Sequence, residues 1–418
     1  HRRREEAEPM ARIYTDTETA ERPQPYAETF PALFTRMPKL VGLLGIVGIL
    51  MLVLSFVMPG LGGPKQFFQA YLYGWIFWMS VTMGCFGFMV LHNLVRGSWG
   101  VPVIRLFEAG AKSIPLMGLL FLPVFFGISY LYPWMDAARV ATDPVLLHKT
   151  MWENPTFFFV RNVFYYLVWI TITQVLTSMA ARQDRTGNGG LAQTRINFAA
   201  PAFVLYIITL TFAITDWVVS LDAHWYSTIS GFYFVATSGL AALAFINMLT
   251  CYMKFTGNKP HAEIVTPQVT RDLGNLTLTL TLIWAYFSLS QYLITWSGNL
   301  PDEITFYVQR NTGLLKQMSA FLMVGQFFLP FLMLLSGKSK RFPRLLFNIS
   351  LWIFFVRIID VFWNVVPAYS GLSEGLRFHW TYIAGFIGIG GIWIAAFFTL
   401  LKRNALVPVP DAPVMEGH

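Results

Sequence analysis

Ten runs of roughly 20 consecutive apolar residues constrain this chain more than any other feature. They cover residues 40–59, 67–92, 114–134, 156–180, 196–220, 231–253, 273–296, 318–335, 345–366 and 379–401. Wound as an α-helix rising about 1.5 Å per residue, each run matches the roughly 30 Å hydrocarbon layer of a bilayer. Strands of a membrane barrel would alternate apolar and polar residues instead. Hydrophobic residues make up 55% of the chain, charged residues 12%, and the mean hydropathy is +0.52. That leaves too few polar side chains to cover a water-soluble surface. The expected fold is an all-α polytopic membrane protein of about ten transmembrane helices.

The distribution of the 30 Lys and Arg sets the expected orientation. Twenty-two of them fall before the first run, in the even-numbered connections or after the tenth run. Six lie in the odd-numbered connections, while Arg161 and Arg357 fall inside runs. Positive residues are retained on the cytoplasmic side, so both termini are expected there. This gives a cytoplasmic tail over 1–38, a transmembrane domain over 39–403 and a second tail over 404–418. The net charge of +8 is spread over separate segments, which suits contact with anionic membrane lipids and not with nucleic acid. Cys85 and Cys251 lie in different runs, and no CxxC or CxxCH occurs, so this chain supplies no ligand set for an iron–sulfur cluster or c-type haem. No metal site is expected.

Residues 101–112 (VPVIRLFEAGAK) suit a short helix lying in the cytoplasmic interface, with Glu108 four residues before Lys112. Runs two and six align at an offset that matches Gly74 to Gly231, Phe77 to Phe234 and Phe88 to Phe245. Runs five and nine each carry an acid followed by a Trp near the outer end. Two four-helix bundles are therefore expected, about 67–222 and 226–366, flanked by the first and tenth helices. Small residues (Gly42, Gly45, Gly48; Ser80, Gly84, Gly87; Ala384, Gly388, Gly391) would let helix backbones approach closely.

Ionisable residues inside the runs are the functional candidates, because each costs about 2.5–3.5 kcal/mol near mid-bilayer on insertion scales unless paired, hydrated or used. Arg357 and Asp360, three residues apart, share a helix face and can pair. Asp216 has no partner within its own helix and must find Arg161, Arg357, a hydroxyl or water, or hold a proton. Asp222, His224, Gln291, Asn364 and His379 gather towards the same outer side, with Trp217, Trp225, Tyr286, Tyr292, Trp296, Trp363 and Trp380 around them. Such aromatics suit an interfacial belt. Together with an acid and a His they suit a pocket that accepts a quinol ring and takes its protons. The proton-transfer candidates are Asp216, Asp222, His224, Asp360, Arg357, Arg161, His92, Glu108 and Lys112. The quinol-site candidates are Asp216, His224, Tyr286, Gln291 and Trp217. On the cytoplasmic half, Gln174, Gln326, Thr277, Thr279 and Thr281 would extend a proton route inward.

Residues 215–231 (TDWVVSLDAHWYSTISG) resemble the signature of the quinone-binding membrane subunits of alternative complex III, within the wider NrfD-like (polysulfide reductase membrane subunit) family. Residues 73–100 and 284–303 are similar more particularly to the F-subunit branch, and the similarity extends over nearly all ten runs. The resemblance implies a cofactor-free membrane subunit of a respiratory oxidoreductase that passes electrons from quinol or menaquinol to cytochrome c or another periplasmic acceptor. It also implies a bacterial cytoplasmic membrane and a role in quinol binding or proton translocation. The implied partners are a homologous quinone-binding subunit, iron–sulfur and multihaem cytochrome c subunits that carry the haem c and clusters, and other small membrane subunits. Its polar positions fall on Asp216, Asp222, His224, Tyr286, Gln291 and His92. His92-Asn93 departs from the His-His pair of that pattern. Two other functions fit the same residues: a secondary transporter, which would show helices broken at mid-membrane, and a purely structural membrane anchor.

Overall fold

The computed structural model describes residues 32–186, 191–259, 261–369, 378–403 and 406–408, with the side chains of residues 32–34, 59, 302 and 303 excepted. Ten helical segments are long and apolar enough to cross a membrane: α1 (Thr35–Val57), α2 (Gly63–Val95), α3 (Ile104–Phe126), α4 (Pro155–Thr186), α5 (Leu191–Leu221), α6 (Ser230–Phe255), α7 (Pro267–Gly298), α8 (Gly313–Leu335), α9 (Pro343–Tyr369) and α10 (Thr381–Leu401). No strand occurs among the described residues. The fold is thus an all-α, multi-pass membrane protein. The tails expected over 1–38 and 404–418 lie largely outside the described residues. Where residues 32–38 are described they already belong to the first helix, Ala32–Val57.

Helix α2 is the hub. Within its apolar window 94% of residues are buried inside the protein, against 22% for α1, so α2 meets other helices on every side while α1 faces mostly outward. It packs against α1, α3, α5, α6 and α10. Helix α6, the other largely buried span, packs against α5, α7 and α9 as well. Further contacts join α3 with α4, α4 with α5, α7 with α8, α8 with α9, α7 with α9, α2 with α9 and α3 with α10. Contacts thus run around α2–α5 and around α6–α9, joined where α2 and α5 meet α6 and where α2 meets α9, while α1 lies against α10.

Close backbone approach holds these contacts. A Cβ added at Gly48 in α1 would stand 2.6 Å from the Gly388 nitrogen in α10, and one at Gly45 would stand 2.8 Å from the Ile392 nitrogen. At the α2–α6 crossing, a Cβ on Gly84 would run into the Ser238 carbonyl. With lipid tails as apolar as the side chains, this tight van der Waals packing is the main attraction available between helices.

The third span departs from the sequence reading. It begins near Ile104, about one residue after the loop, and not at 114; the interfacial helix expected over 101–112 is in fact the fully buried helix Ile104–Ala111. Arg105 and Glu108 are buried within it. The Arg105 guanidinium donates to Glu108 Oε2 at 2.6 Å and also pairs with Asp184 at the end of α4, so the charges are neutralised where they are buried. The span is also interrupted, running through Ile104–Ala111, Ile114–Leu119 and Leu122–Phe126. Pro115 and Pro123 each stand at the start of a new piece, where a missing N–H is tolerated. Carbonyls left near the breaks are taken up by α2: Trp75 Nε1 donates to Met117 O at 3.0 Å, and Tyr71 donates to Leu120 O at 2.7 Å. In hydrocarbon such groups must be satisfied by protein, and these two side chains do it.

Replacing Gly84 with Ala should destabilise the protein by about 1–3 kcal/mol, the usual cost of overpacking. Thermal unfolding in detergent measures this; an unchanged midpoint would show that α2 and α6 do not depend on that contact.

Candidate functional site

The two interiors are filled differently. Among α2–α5, aromatic rings occupy the space: Trp75, Phe121, Trp169 and Trp217 stack edge to face or tilted, with centroids 4.6–6.0 Å apart. The void beside Trp217 holds only about 10 Å³. Among α6–α9, a cavity of about 720 Å³ opens in the half nearest the connections 222–229, 299–312 and 366–369. A volume of that order accommodates a small organic ligand.

Asp216 belongs to the filled interior. Arg161 Nε donates to Asp216 Oδ2 at 3.0 Å and Arg161 Nη2 to Oδ1 at 2.7 Å, a bidentate pair. Tyr165 (3.1 Å) and Trp152 Nε1 (3.1 Å) donate to the same carboxylate. Both members are buried, and neither lines the cavity. The arrangement is a saturated structural link tying α4 to α5. Trp217 is also core: its Nε1 donates to Asn162 Oδ1 at 2.7 Å.

Asp360 sits at the inner end of the cavity. Arg357, one turn earlier on the same face of α9, pairs with it. The Tyr233 hydroxyl on α6 donates to Asp360, with its oxygen 2.9 Å and 3.0 Å from the two carboxylate oxygens. That same hydroxyl accepts from Trp284 Nε1 at 3.1 Å and from Asn364 Nδ2 at 3.3 Å. Asp360, Tyr233, Trp284 and Asn364 all line the cavity, so the network binds three helices at its inner end, with Asp360 itself only 1% exposed. Above it, Trp363 Nε1 donates to Ser319 Oγ on α8 at 2.9 Å.

The remaining cavity wall is aromatic and aliphatic. Leu289 on α7 and Met323 and Phe328 on α8 both line the cavity and are exposed on the outer surface of the helices, so it reaches the membrane-facing side between these two spans. Helix α8 turns there as a π-helix over Met323–Phe328, and the Gly325 carbonyl accepts from Trp352 Nε1 at 2.7 Å. Such segments widen a helix locally and recur at functional sites.

The quinol pocket expected from Asp216, His224, Tyr286, Gln291 and Trp217 is not assembled. Gln291 alone of these lines the cavity, holding Ser227 at 2.5 Å through Oε1 and Thr295 at 3.0 Å through Nε2. Tyr286 is 66% exposed on the outside of α7. His224 pairs through Nε2 with Asp143 at 3.0 Å, away from the cavity, while Asp222 lies on the rim. Trp217 and Trp225, expected in an interfacial belt, are buried, whereas Tyr292 and Trp296 are exposed as a belt requires. At the basic end, His92 meets the Gly97 carbonyl at 3.3 Å and lies edge-on to Trp99. Glu108 is committed to Arg105, with Lys112 one turn further on. The inner polar row is incomplete, since Gln174 and Thr279 face outward. Asn247 donates to Thr277 at 3.0 Å, and Gln326 is fully buried with neither amide atom paired.

Three participants were not singled out from the sequence: Tyr233, Ser319 and Glu153. A hydroxyl near the outer end of an apolar helix, level with an in-span acid, is the signal Tyr233 offered. Glu153, beside α4, is 10% exposed, stands 4.0 Å from Lys149 and leaves its Oε2 without a partner. Burial pushes its carboxyl up to about 7; Lys149 opposes this, the Asp216 charge adds to it and Arg161 opposes it.

Among the described residues no group of three or more His, Cys, Asp or Glu is placed to hold a metal ion. Among the described residues, fold and site define a helical multi-pass membrane protein with ten candidate spans and a large cavity among α6–α9. No protein-family model matches the chain, and no curated protein matches it.

Two outcomes follow. Replacing Asp216 with Asn should cost about 3–5 kcal/mol by leaving Arg161 buried and unpaired, while the double change Arg161→Met, Asp216→Leu should cost less; equal losses in thermal unfolding would contradict a structural pair. Glu153 binds its proton more tightly folded than its ordinary value of 4.5. Its contribution is therefore most favourable below about 4.5 and declines as pH rises through about 7. Glu153→Gln should flatten the stability–pH curve over that window, and an unaltered curve would place the titration elsewhere.

Proposed function

We propose that this chain is a cofactor-free integral membrane subunit of a bacterial respiratory complex that oxidises quinol and delivers electrons to cytochrome c or another periplasmic acceptor. The observation that carries this reading is the cavity between α6 and α9, open to the membrane beside α7 and α8 and ending on the Asp360–Tyr233 network. A quinol is an apolar-tailed molecule that arrives through lipid, so a lateral opening suits its entry. Its ring fits an aromatic wall, and its hydroxyls require a hydrogen-bonding, proton-accepting group at the end of the space. Asp360 supplies the acceptor. Tyr233 holds one carboxylate edge and connects it to Asn364 and Trp284, and Arg357 stabilises the ionised form.

The electrons leave through partners: iron–sulfur and multihaem cytochrome c subunits at the outer face, beside a homologous quinone-binding subunit and other small membrane subunits. The motif at residues 215–231 supports this assignment, as does the excess of basic residues that sets both termini in the cytoplasm.

A second reading, a secondary transporter, is favoured by the interruptions in α3 and the π-helix in α8, since broken spans mark many transport sites. Uptake of a solute by the isolated chain in vesicles distinguishes it.

In the assembled complex, Asp360→Asn should lower quinol oxidation by roughly 10²–10⁴-fold, the range of a lost general base, while Asp216→Asn complexes that still assemble retain their turnover. Steady-state oxidation of a soluble quinol measures both. Full activity in Asp360→Asn would remove the proposed proton acceptor.

A further inference from the structure

Four arginines are buried among the described residues, and three have a carboxylate within ion-pair distance: Arg105, Arg161 and Arg357. Arg310 has none. It stands at the end of the short helix Pro301–Arg310, 2% exposed, and lines the rim of the cavity. Its guanidinium is held by backbone carbonyls alone: Nη1 donates to Phe306 O at 3.0 Å, Nε to Trp363 O at 3.2 Å and Nη2 to Asn364 O at 3.2 Å. The Phe306 ring lies 3.4 Å from it and the Trp363 ring 5.0 Å away.

A guanidinium carries five N–H groups, and three are used here. One remains on each terminal nitrogen, a fork matched to two oxygens of one anion. Asp222, also on the cavity rim, acts on Arg310 through space. Burial lowers the Arg310 pKa to about 9, opposed by Asp222 and Tyr307, so the charge persists at neutral pH. An immobilised, desolvated cation with no carboxylate in contact is costly unless an anion visits it.

We propose that the cavity rim is a binding site for the phosphate of a phospholipid, held by Arg310, with acyl chains passing out between α7 and α8 over Leu289, Met323 and Phe328. The position argues for lipid over a protein partner. Arg310 lies in the connection after α7, whose last turns expose Trp296; an exposed Trp at the end of a span suits headgroup depth, where the abundant anion is lipid phosphate. The wall that joins the rim to the membrane is apolar and accessible from lipid. Asp360 lies about one helical turn deeper on α9 than the carbonyls that hold Arg310, so rim and inner end are separate stations. This site does not depend on the quinol reading.

Native mass spectrometry of the purified full chain, delipidated and then titrated with phosphatidylglycerol, tests it. Wild-type protein should retain the lipid, and Arg310→Gln should weaken retention roughly tenfold or more. Arg310→Lys, which keeps the charge but not the fork, should fall between them. Should Arg310→Gln fail to fold, the wild-type protein alone still decides: it should retain phosphatidylglycerol over diacylglycerol, which lacks the phosphate. Equal retention of the two lipids, or retention unaffected by Arg310→Gln, would overturn the proposal. So would displacement of the lipid by inorganic phosphate alone, since that would mark a site for the free ion.

Discussion

An ionised side chain in hydrocarbon must be neutralised or reached by water or a ligand, and the interior of this protein is organised around that requirement. Arg161 with Asp216, Arg105 with Glu108 and Asp184, and Arg357 with Asp360 each meet it by pairing. The pairs are not alike. Asp216 is enclosed by four donor groups from three side chains, Arg161 and Tyr165 of α4 and Trp152 just before it, and it does not line the cavity. Asp360, just as buried, is paired within its own helix, and Tyr233 reaches both of its oxygens from the cavity wall. Local pairing keeps a charge in place without filling the space between helices.

The same contrast separates the two helix groups. In α2–α5, large rings close the interior and the polar bonds of Trp75, Trp169 and Trp217 go to neighbouring helices, giving a rigid block around the hub helix. In α6–α9, rings line a space without filling it. Trp284 and Trp363 are held at its edges by Tyr233 and Ser319, and the π-helix of α8 turns Met323, Phe327 and Phe328 towards it. Dense packing on one side supports an open site on the other, which is how a scaffold keeps a binding cavity from collapsing.

Much of this was legible in the sequence. The number of spans follows from apolar length, and the Arg357–Asp360 pair from their spacing on one helix. The small-residue contacts of α1 with α10 follow from Gly45, Gly48, Gly388 and Gly391. The start of α3 was not legible, because Arg105 and Glu108 look too polar to enter until Asp184, far along the chain, completes the cluster. The cavity was not legible either. Trp217 and Trp363 carry the same pattern in sequence, an acid shortly before a Trp near a span's end, yet one fills a core and the other edges a void. That outcome depends on which side chains α3 and α4, or α7 and α8, bring to meet them. The motif resemblance points to Asp216, His224 and Tyr286, whereas tertiary packing joins Asp360 and Asn364, both marked by the sequence as in-span or outer polar groups, to Tyr233, which it did not mark.

The central claim is that the space bounded by Asp360, Tyr233 and Trp284 receives the ligand. A high-resolution map of the protein in lipid nanodiscs with a tight-binding quinol analogue tests it most directly. Analogue density between α6 and α9, with a ring oxygen in hydrogen-bond reach of Asp360 or Tyr233, is the predicted result. Density for the analogue beside Asp216 or Trp217, with the α6–α9 space closed by side chains, would contradict it.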